Sequence, residues 1–161
     1  MRKGALGYSP GVATTYQLFD NAVRIEEICA EAYHLLADQF STDPDVRDLF
    51  LRLEQEEMQH ASRVKLLAAR YRHDPRLLGA PVDVAGLDRM LAEAENALGA
   101  IRRRTFARTA EEACARAADL EERFARAHAE IISHEGHPAL REFFWKLAEQ
   151  DRGHNQLLRG K

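Results

Sequence analysis

Residues 44–60 of this chain read PDVRDLFLRLEQEEMQH, and residues 138–154 repeat the pattern as PALREFFWKLAEQDRGH. Each stretch begins with Pro, which suits the first position of a helix because its missing N–H has no partner there anyway. Each then spaces apolar side chains three and four residues apart. Each ends on an acidic residue followed three positions later by His. The repeat predicts two equivalent helices that carry the same pair of polar side chains.

Another helix precedes each of these two, and this second pair is repeated as well. Helical periodicity precedes the first copy and recurs before the second, with Glu26 and Glu121 at equivalent positions. Thr109, followed three residues later by Glu, has the spacing of a capping box at a helix start. We expect main helices over residues 15–40, 44–70, 109–134 and 138–159, and a weaker amphipathic helix over residues 86–104. The segment 73–82 contains Pro75, Gly79 and Pro81 and is expected to be a loop.

Two helix pairs joined by one long connection define the expected fold. The length suits one domain, and nine Gly and five Pro in 161 residues favour helix over strand. We therefore predict an all-α, ferritin-like four-helix bundle as a single domain over residues 1–161, with an extra helix in the long crossover.

Bulk properties exclude several other classes of protein. The net charge of −3 gives no reason to expect nucleic acid as a partner. No apolar run reaches the roughly 18 residues of a membrane span, and the first residues lack a signal-peptide core. Cys29 and Cys114 stand alone, which argues against a cysteine metal site or a disulfide framework. We expect a cytoplasmic protein without a membrane partner.

The apolar stripe of every main helix is interrupted by polar residues that can bind metals. These interruptions are Glu26, Glu57, His60, Glu121, Asp151 and His154, with His128 as a further histidine on the third helix. Glu27 falls on the outer face beside Glu26. Glu31 and His34 have the same spacing as Glu57 and His60 but lie on the polar stripe, so we exclude them from the site.

Four carboxylates in one interior repel one another unless cations balance them. Two divalent metal ions supply the four positive charges required, while His60 and His154 bind as neutral imidazoles. The three-residue spacing from Glu57 to His60, and from Asp151 to His154, puts both side chains of each pair on one helix face. A carboxylate from each of two helices, with an acid-x-x-His pair from each of the others, is the arrangement of dimetal bundles.

With these residues in hand, the chain resembles the rubrerythrin branch of the ferritin-like family from about residue 16 to 158. The likeness rests on Glu26 followed seven residues later by Tyr33, on Glu57-Met58-Gln59-His60, on Glu121, and on Asp151-Arg152-Gly153-His154. It implies a di-iron site that reduces hydrogen peroxide or dioxygen. It also implies a catalytic role for Tyr33, through a hydrogen bond across the bundle to a ligand carboxylate.

The chain departs from the family pattern at several positions. Asp151 stands where the family usually has Glu, His128 replaces a second Tyr, and Phe124 replaces a second Glu on the third helix. The family's cysteine-ligated rubredoxin domain is missing, so the resemblance implies a separate electron-donor protein. We also expect a homodimer.

Three functional hypotheses stay open at this point. The first is a di-iron oxidoreductase acting on peroxide or dioxygen, and the second is a ferroxidase or iron-handling protein that uses the same site. The third is a non-catalytic, metal-stabilised interaction module. Two iron ions are the expected cofactor, although carboxylate and imidazole ligands also suit manganese and zinc.

Overall fold

The computed structural model describes residues 13–71, 81–82, 85–134 and 138–161. Its five helices are α1 (Thr15–Gln39), α2 (Pro44–Tyr71), α3 (Ala85–Arg102), α4 (Ala110–His134) and α5 (Pro138–Arg159). A pair of two-residue strands, β1 (Ala13–Thr14) and β2 (Pro81–Val82), precedes α1 and α3. The helices begin and end within two residues of the bounds predicted from the sequence.

The four main helices form two pairs. α1 packs along α2, α4 packs along α5, and α3 lies against α1 and α4. The prediction of an all-α, ferritin-like bundle with an extra helix in the long connection is confirmed. The apolar stripe of α3, which includes Leu87, Met90, Ala94, Leu98 and Ile101, is buried against the bundle. The burial explains why this weaker helix is stable, since amphipathic helices gain most of their stability from packing.

The strand pair departs from the expected loop over residues 73–82. Ala13 lies opposite Val82 and Thr14 opposite Pro81 in an antiparallel register. Two residues are too few to show strand periodicity in a sequence, and their partners lie far away along the chain. Residues 72–80, including Pro75 and Gly79, fall outside the described residues.

Side-chain caps fix where two of the helices begin. Asp43 Oδ1 accepts a hydrogen bond from the Val46 N–H at 3.2 Å, ahead of α2. Thr109 Oγ1 accepts one from the Glu112 N–H at 3.1 Å, ahead of α4. Both caps satisfy helix N–H groups that have no partner within the helix.

The C-terminus of α3 ends in a Schellman motif built on an arginine. The Arg104 N–H donates to the Ile101 carbonyl at 2.9 Å, and the Thr105 N–H donates to the Ala100 carbonyl at 2.9 Å. These two hydrogen bonds require one residue at the helix end to adopt the left-handed conformation. That residue is Arg104, which has a φ of 56°. Gly is the usual residue there because a side chain at positive φ crowds the backbone.

None of the helices in the described ranges combines the length and apolar character needed to span a membrane.

Arg104→Gly is expected to stabilise the protein, because it removes the steric cost of the left-handed conformation. We expect the free energy of unfolding, measured by urea denaturation, to rise by about 1 kcal/mol. Arg103→Gly is the matched control. Position 103 is next to Arg104 but lies outside the left-handed region, so we expect the free energy of unfolding to fall by about 0.5–1 kcal/mol. Equal effects of the two changes would contradict the role assigned to Arg104.

Candidate metal centre

The structure buries all the polar residues that interrupt the apolar stripes. These are Glu26, Glu57, His60, Glu121, His128, Asp151 and His154, each at most 4 % exposed. Glu27, Glu31 and His34 lie on the surface, where Glu27 pairs with Lys65, Glu31 with Arg102, and His34 with Glu54. The helical register that separates the inner from the outer acidic residues is therefore the one that the sequence predicted.

Two groups of three side chains meet in this interior and share Glu57. Glu26, Glu57 and His60 form one triad, and Glu57, Glu121 and His154 form the other. In each triad, one oxygen or nitrogen atom from every residue lies within 4.8 Å of the others. Glu57 is therefore available to a metal ion in either triad.

Short contacts define the first triad. His60 Nδ1 lies 2.9 Å from Glu57 Oε2 and 3.3 Å from Glu26 Oε2. Glu57 and His60 lie one turn apart on α2, and Glu26 faces them from α1. The same imidazole nitrogen therefore points at two carboxylates from two helices.

The second triad repeats this arrangement on the other side of Glu57. His154 Nδ1 lies 3.1 Å from Glu57 Oε1 and 3.6 Å from Glu121 Oε1. The imidazole rings of His60 and His154 are nearly parallel, with centroids 5.6 Å apart and an interplanar angle of 12°. The sequence repeat thus becomes a spatial repeat of two carboxylate–histidine groups.

Asp151 is buried beside these groups but belongs to neither triad. Its Oδ2 atom lies 2.7 Å from His128 Nδ1. His128 packs against the ring of Phe144, with centroids 5.8 Å apart. One oxygen of the predicted fourth carboxylate is therefore engaged by a histidine from α4.

Tyr33 reaches across the bundle to the second triad. Its hydroxyl donates a hydrogen bond to Glu121 Oε1, and its ring stacks on Phe50 with centroids 5.9 Å apart. Burial is the main cause that raises the pKa of Tyr33 well above its ordinary value, and the charge of Glu121 adds to it. Tyr33 therefore holds its proton and is a fixed donor to the carboxylate.

Sequence reasoning missed Glu56, which contacts the outer side of the His154 ring. Glu56 Oε2 lies 3.0 Å from His154 Nε2, while Arg52 Nε donates to Glu56 Oε1 at 2.8 Å. A carboxylate on the far nitrogen of a ligand histidine fixes the ring and its tautomer. The run Glu56-Glu57 was the only signal in the sequence, because the partner is 98 residues away.

Burial and mutual repulsion change the acidity of the carboxyl groups. Burial, reinforced by the charge of Glu57, raises the pKa of Glu26 to about 8. Burial raises the pKa of Glu121 to about 7, although His154 opposes it. Burial and Glu57 also raise the pKa of Asp151 well above its ordinary value. Burial favours protonation of Glu57 too, but the adjacent imidazoles of His154 and His60 outweigh it and lower its pKa.

The pKa values of the two triad histidines are raised, whereas the pKa of His128 is lowered. Burial alone lowers the pKa of an imidazole, yet the carboxylates of Glu26 and Glu57 raise the pKa of His60 to about 10. Glu121 and Glu57 likewise raise the pKa of His154 to about 12 against the effect of burial. Burial dominates at His128 and lowers its pKa to about 4. Protons thus balance part of the acidic charge in the metal-free site.

The donor atoms fit a pair of divalent cations. Within the described residues, Glu121 Oε2, His154 Nδ1 and His128 Nε2 are buried without a hydrogen-bond partner. Buried polar atoms are nearly always paired, so these atoms indicate a missing binding partner. Carboxylate oxygens and imidazole nitrogens are ligands for iron, manganese and zinc.

The chain is similar to a known protein family over most of its length. The family model of rubrerythrin matches residues 17–160. The chain belongs to the rubrerythrin family. No curated protein and no solved structure gave a significant match.

The rubrerythrin match spans α1 to α5 and confirms the resemblance inferred from the sequence. The three departures from the family pattern, Phe124, His128 and Asp151, are all buried. Two of them are in contact, since His128 Nδ1 lies 2.7 Å from Asp151 Oδ2.

Metal binding is expected to release protons, because the metal replaces those held by His60, His154 and the acids with raised pKa values. Near neutral pH we expect more than two protons per pair of metal ions, because the acids add theirs to the two imidazole protons. We also expect a metal affinity that increases with pH. The number released should fall as the pH rises through 7 and 8, where Glu121 and Glu26 lose their own protons. Calorimetric titration with Zn(II) in two buffers of different ionisation enthalpy measures the number of protons released. Proton release that does not change with pH would contradict the prediction.

Glu56→Ala is expected to weaken metal binding although Glu56 belongs to neither triad, because His154 loses the partner of its outer nitrogen. We expect about a tenfold to hundredfold loss of Zn(II) affinity, measured by competition with a chromophoric chelator. Glu56→Gln keeps an acceptor and should lose less. Glu54→Ala is the matched control on the same helix, since Glu54 contacts the exposed His34, and it should retain the wild-type affinity.

Proposed function

We propose that this rubrerythrin is a di-iron oxidoreductase that reduces hydrogen peroxide or dioxygen in defence against oxidative stress. The observation that carries the proposal is the sharing of Glu57 by two carboxylate–histidine triads. This geometry supports two metal ions held close together by one carboxylate. The iron ions, when bound, supply the two electrons that reduce one peroxide to two waters.

We assign the ligands from the two triads and from the buried acid beside them. Glu26 and His60 would hold one ion, Glu121 and His154 would hold the other, and Glu57 would be available to both. Asp151 is assigned as the fourth carboxylate from α5, and its burial supports that assignment. Two divalent ions would balance the charge of the four carboxylates. They would remove the repulsion by Glu57 that, together with burial, raises the pKa values of Glu26, Glu121 and Asp151.

The surrounding side chains orient the ligands and control protons. Tyr33 holds a proton at Oη and directs it to Glu121 Oε1, which fixes the orientation of that carboxylate. Glu56 holds the outer nitrogen of His154, so the inner nitrogen faces the centre. His128 fixes one oxygen of Asp151. Buried aromatic rings, including Phe50 and Phe144, exclude water from this layer.

Turnover needs a supply of electrons. Each peroxide consumes two electrons and two protons, so two oxidised ions must be reduced again before the next cycle. Cys29 and Cys114 are the only cysteines in the sequence, and neither can form a cysteine-ligated iron centre alone. We therefore propose a separate redox protein as the electron donor.

The proposal predicts the metal content and the stoichiometry of oxidation. Protein loaded anaerobically with Fe(II) should bind about two ions per chain. One equivalent of hydrogen peroxide should oxidise both, as followed by the near-ultraviolet absorbance. Glu57→Ala should lose at least one ion and most of the reaction, because both triads use this residue. Glu27→Ala is the control on the outer face, and it should behave as wild type.

Other outcomes distinguish the alternatives. A chain that binds two ions but reacts no faster with peroxide than with dioxygen, and retains added iron, is a ferroxidase or iron-handling protein. Binding of metal without redox turnover would overturn the proposal in favour of a metal-stabilised interaction module.

A further inference from the structure

The metal centre approaches the surface at the seam between α2 and α5. α2 packs mainly on α1 and α5 mainly on α4, which leaves these two helices separated along part of their length. A cavity of about 430 Å³ opens there, and its lining includes Glu56, His60, Gly153 and His154. The lining of this cavity therefore includes a histidine from each triad.

Gly153 lies at this cavity without a packing reason for being glycine. A Cβ atom built on Gly153 meets no neighbouring group within 4 Å in the described part of the chain. Glycine inside a helix is less stable than alanine because it loses more conformational freedom on folding. The residue therefore lowers the stability of α5 and leaves open space directly beside His154.

The rest of the lining suits a small polar solute. The neutral amides of Gln55, Gln59 and Gln150 line the cavity together with the guanidinium groups of Arg52 and Arg63. The charge of Arg52 is balanced by Glu56, whose other oxygen lies 3.0 Å from His154 Nε2. Amide groups can exchange hydrogen bonds with water, hydrated metal ions or hydrogen peroxide at little energetic cost. A path with such walls does not require a solute to lose all its hydration before it reaches the ligands.

We propose that Gly153 forms the entrance through which hydrogen peroxide and metal ions reach the centre. The absence of a side chain at position 153 keeps the path between α2 and α5 open. Larger side chains there should fill the cavity and restrict access, and they should leave the ligand atoms in place. The inference rests on the proposed metal centre but concerns a residue that does not bind the metal.

The test compares the rates and the equilibrium of Co(II) binding across a series of side chains. Apo-protein carrying Gly153→Ala, Gly153→Leu or Gly153→Phe is mixed with Co(II), and the absorbance of the bound ion is followed by stopped flow. We expect little change for Ala and a decrease of about tenfold or more in the association rate for Phe. A blocked entrance slows association and dissociation alike, so the dissociation constant should change by less than about threefold.

A matched control separates access from helix stability. Gly99 is a helical glycine on α3, where a Cβ meets only the flexible end of Arg103 at 3.2 Å. Gly99→Ala and Gly99→Leu make the same chemical changes away from the seam and should bind Co(II) at the wild-type rate. Gly153→Ala should also raise the melting temperature, because alanine is the better helix former.

A second arm uses hydrogen peroxide on reduced, iron-loaded protein. Its reaction rate should decrease across the same series in the order Ala, Leu, Phe. Wild-type Co(II) association in Gly153→Phe would overturn the entrance. So would a weaker affinity caused by faster dissociation, since that pattern shows damage to His154. If wild-type protein binds Co(II) but does not react with peroxide, the proposed function fails, whereas the Co(II) series still tests the entrance.

Discussion

Four carboxylates share one interior, where their negative charges repel one another. The free-energy cost of this repulsion constrains the rest of the structure. In the metal-free chain, His60 and His154 carry raised pKa values and balance Glu57 as ion-pair partners. Glu26, Glu121 and Asp151 meet the same constraint through raised pKa values of their own. Protons therefore balance the charge in the metal-free chain, and any metal that binds must displace them.

The two-fold character of the bundle follows from the same requirement. A single acid-x-x-His pair offers too few ligands to enclose an ion, so a second helix must contribute a carboxylate to each pair. α1 gives Glu26 to the pair on α2, and α4 gives Glu121 to His154 on α5. Glu57 couples the two halves because its two oxygens face different histidines. α3 contributes no residue to either triad, and its apolar stripe packs against α1 and α4.

Differences between the two halves limit the symmetry. The α2 half presents Glu57 to both triads, whereas the equivalent Asp151 is shorter and contacts His128 instead. Glu56 contacts the outer nitrogen of His154; the residue at the equivalent position in α5 is Gln150, which lines the cavity at the seam. The contact that orients the His154 ring, the cavity and Gly153 therefore all lie on the side of the centre that faces the seam between α2 and α5.

The sequence alone determined the helices, their inner and outer faces, and the residue types of the centre. Helical periodicity is a local property, so Glu26 could be separated from Glu27, and Glu57–His60 from Glu31–His34, without coordinates. Contacts between helices were decided only by tertiary structure. The bond from Glu56 to His154, the attachment of Asp151 to His128, and the open space beside Gly153 each depend on how two helices are placed against each other. Side-chain spacing along one helix carries no information about the distance to an atom on the next.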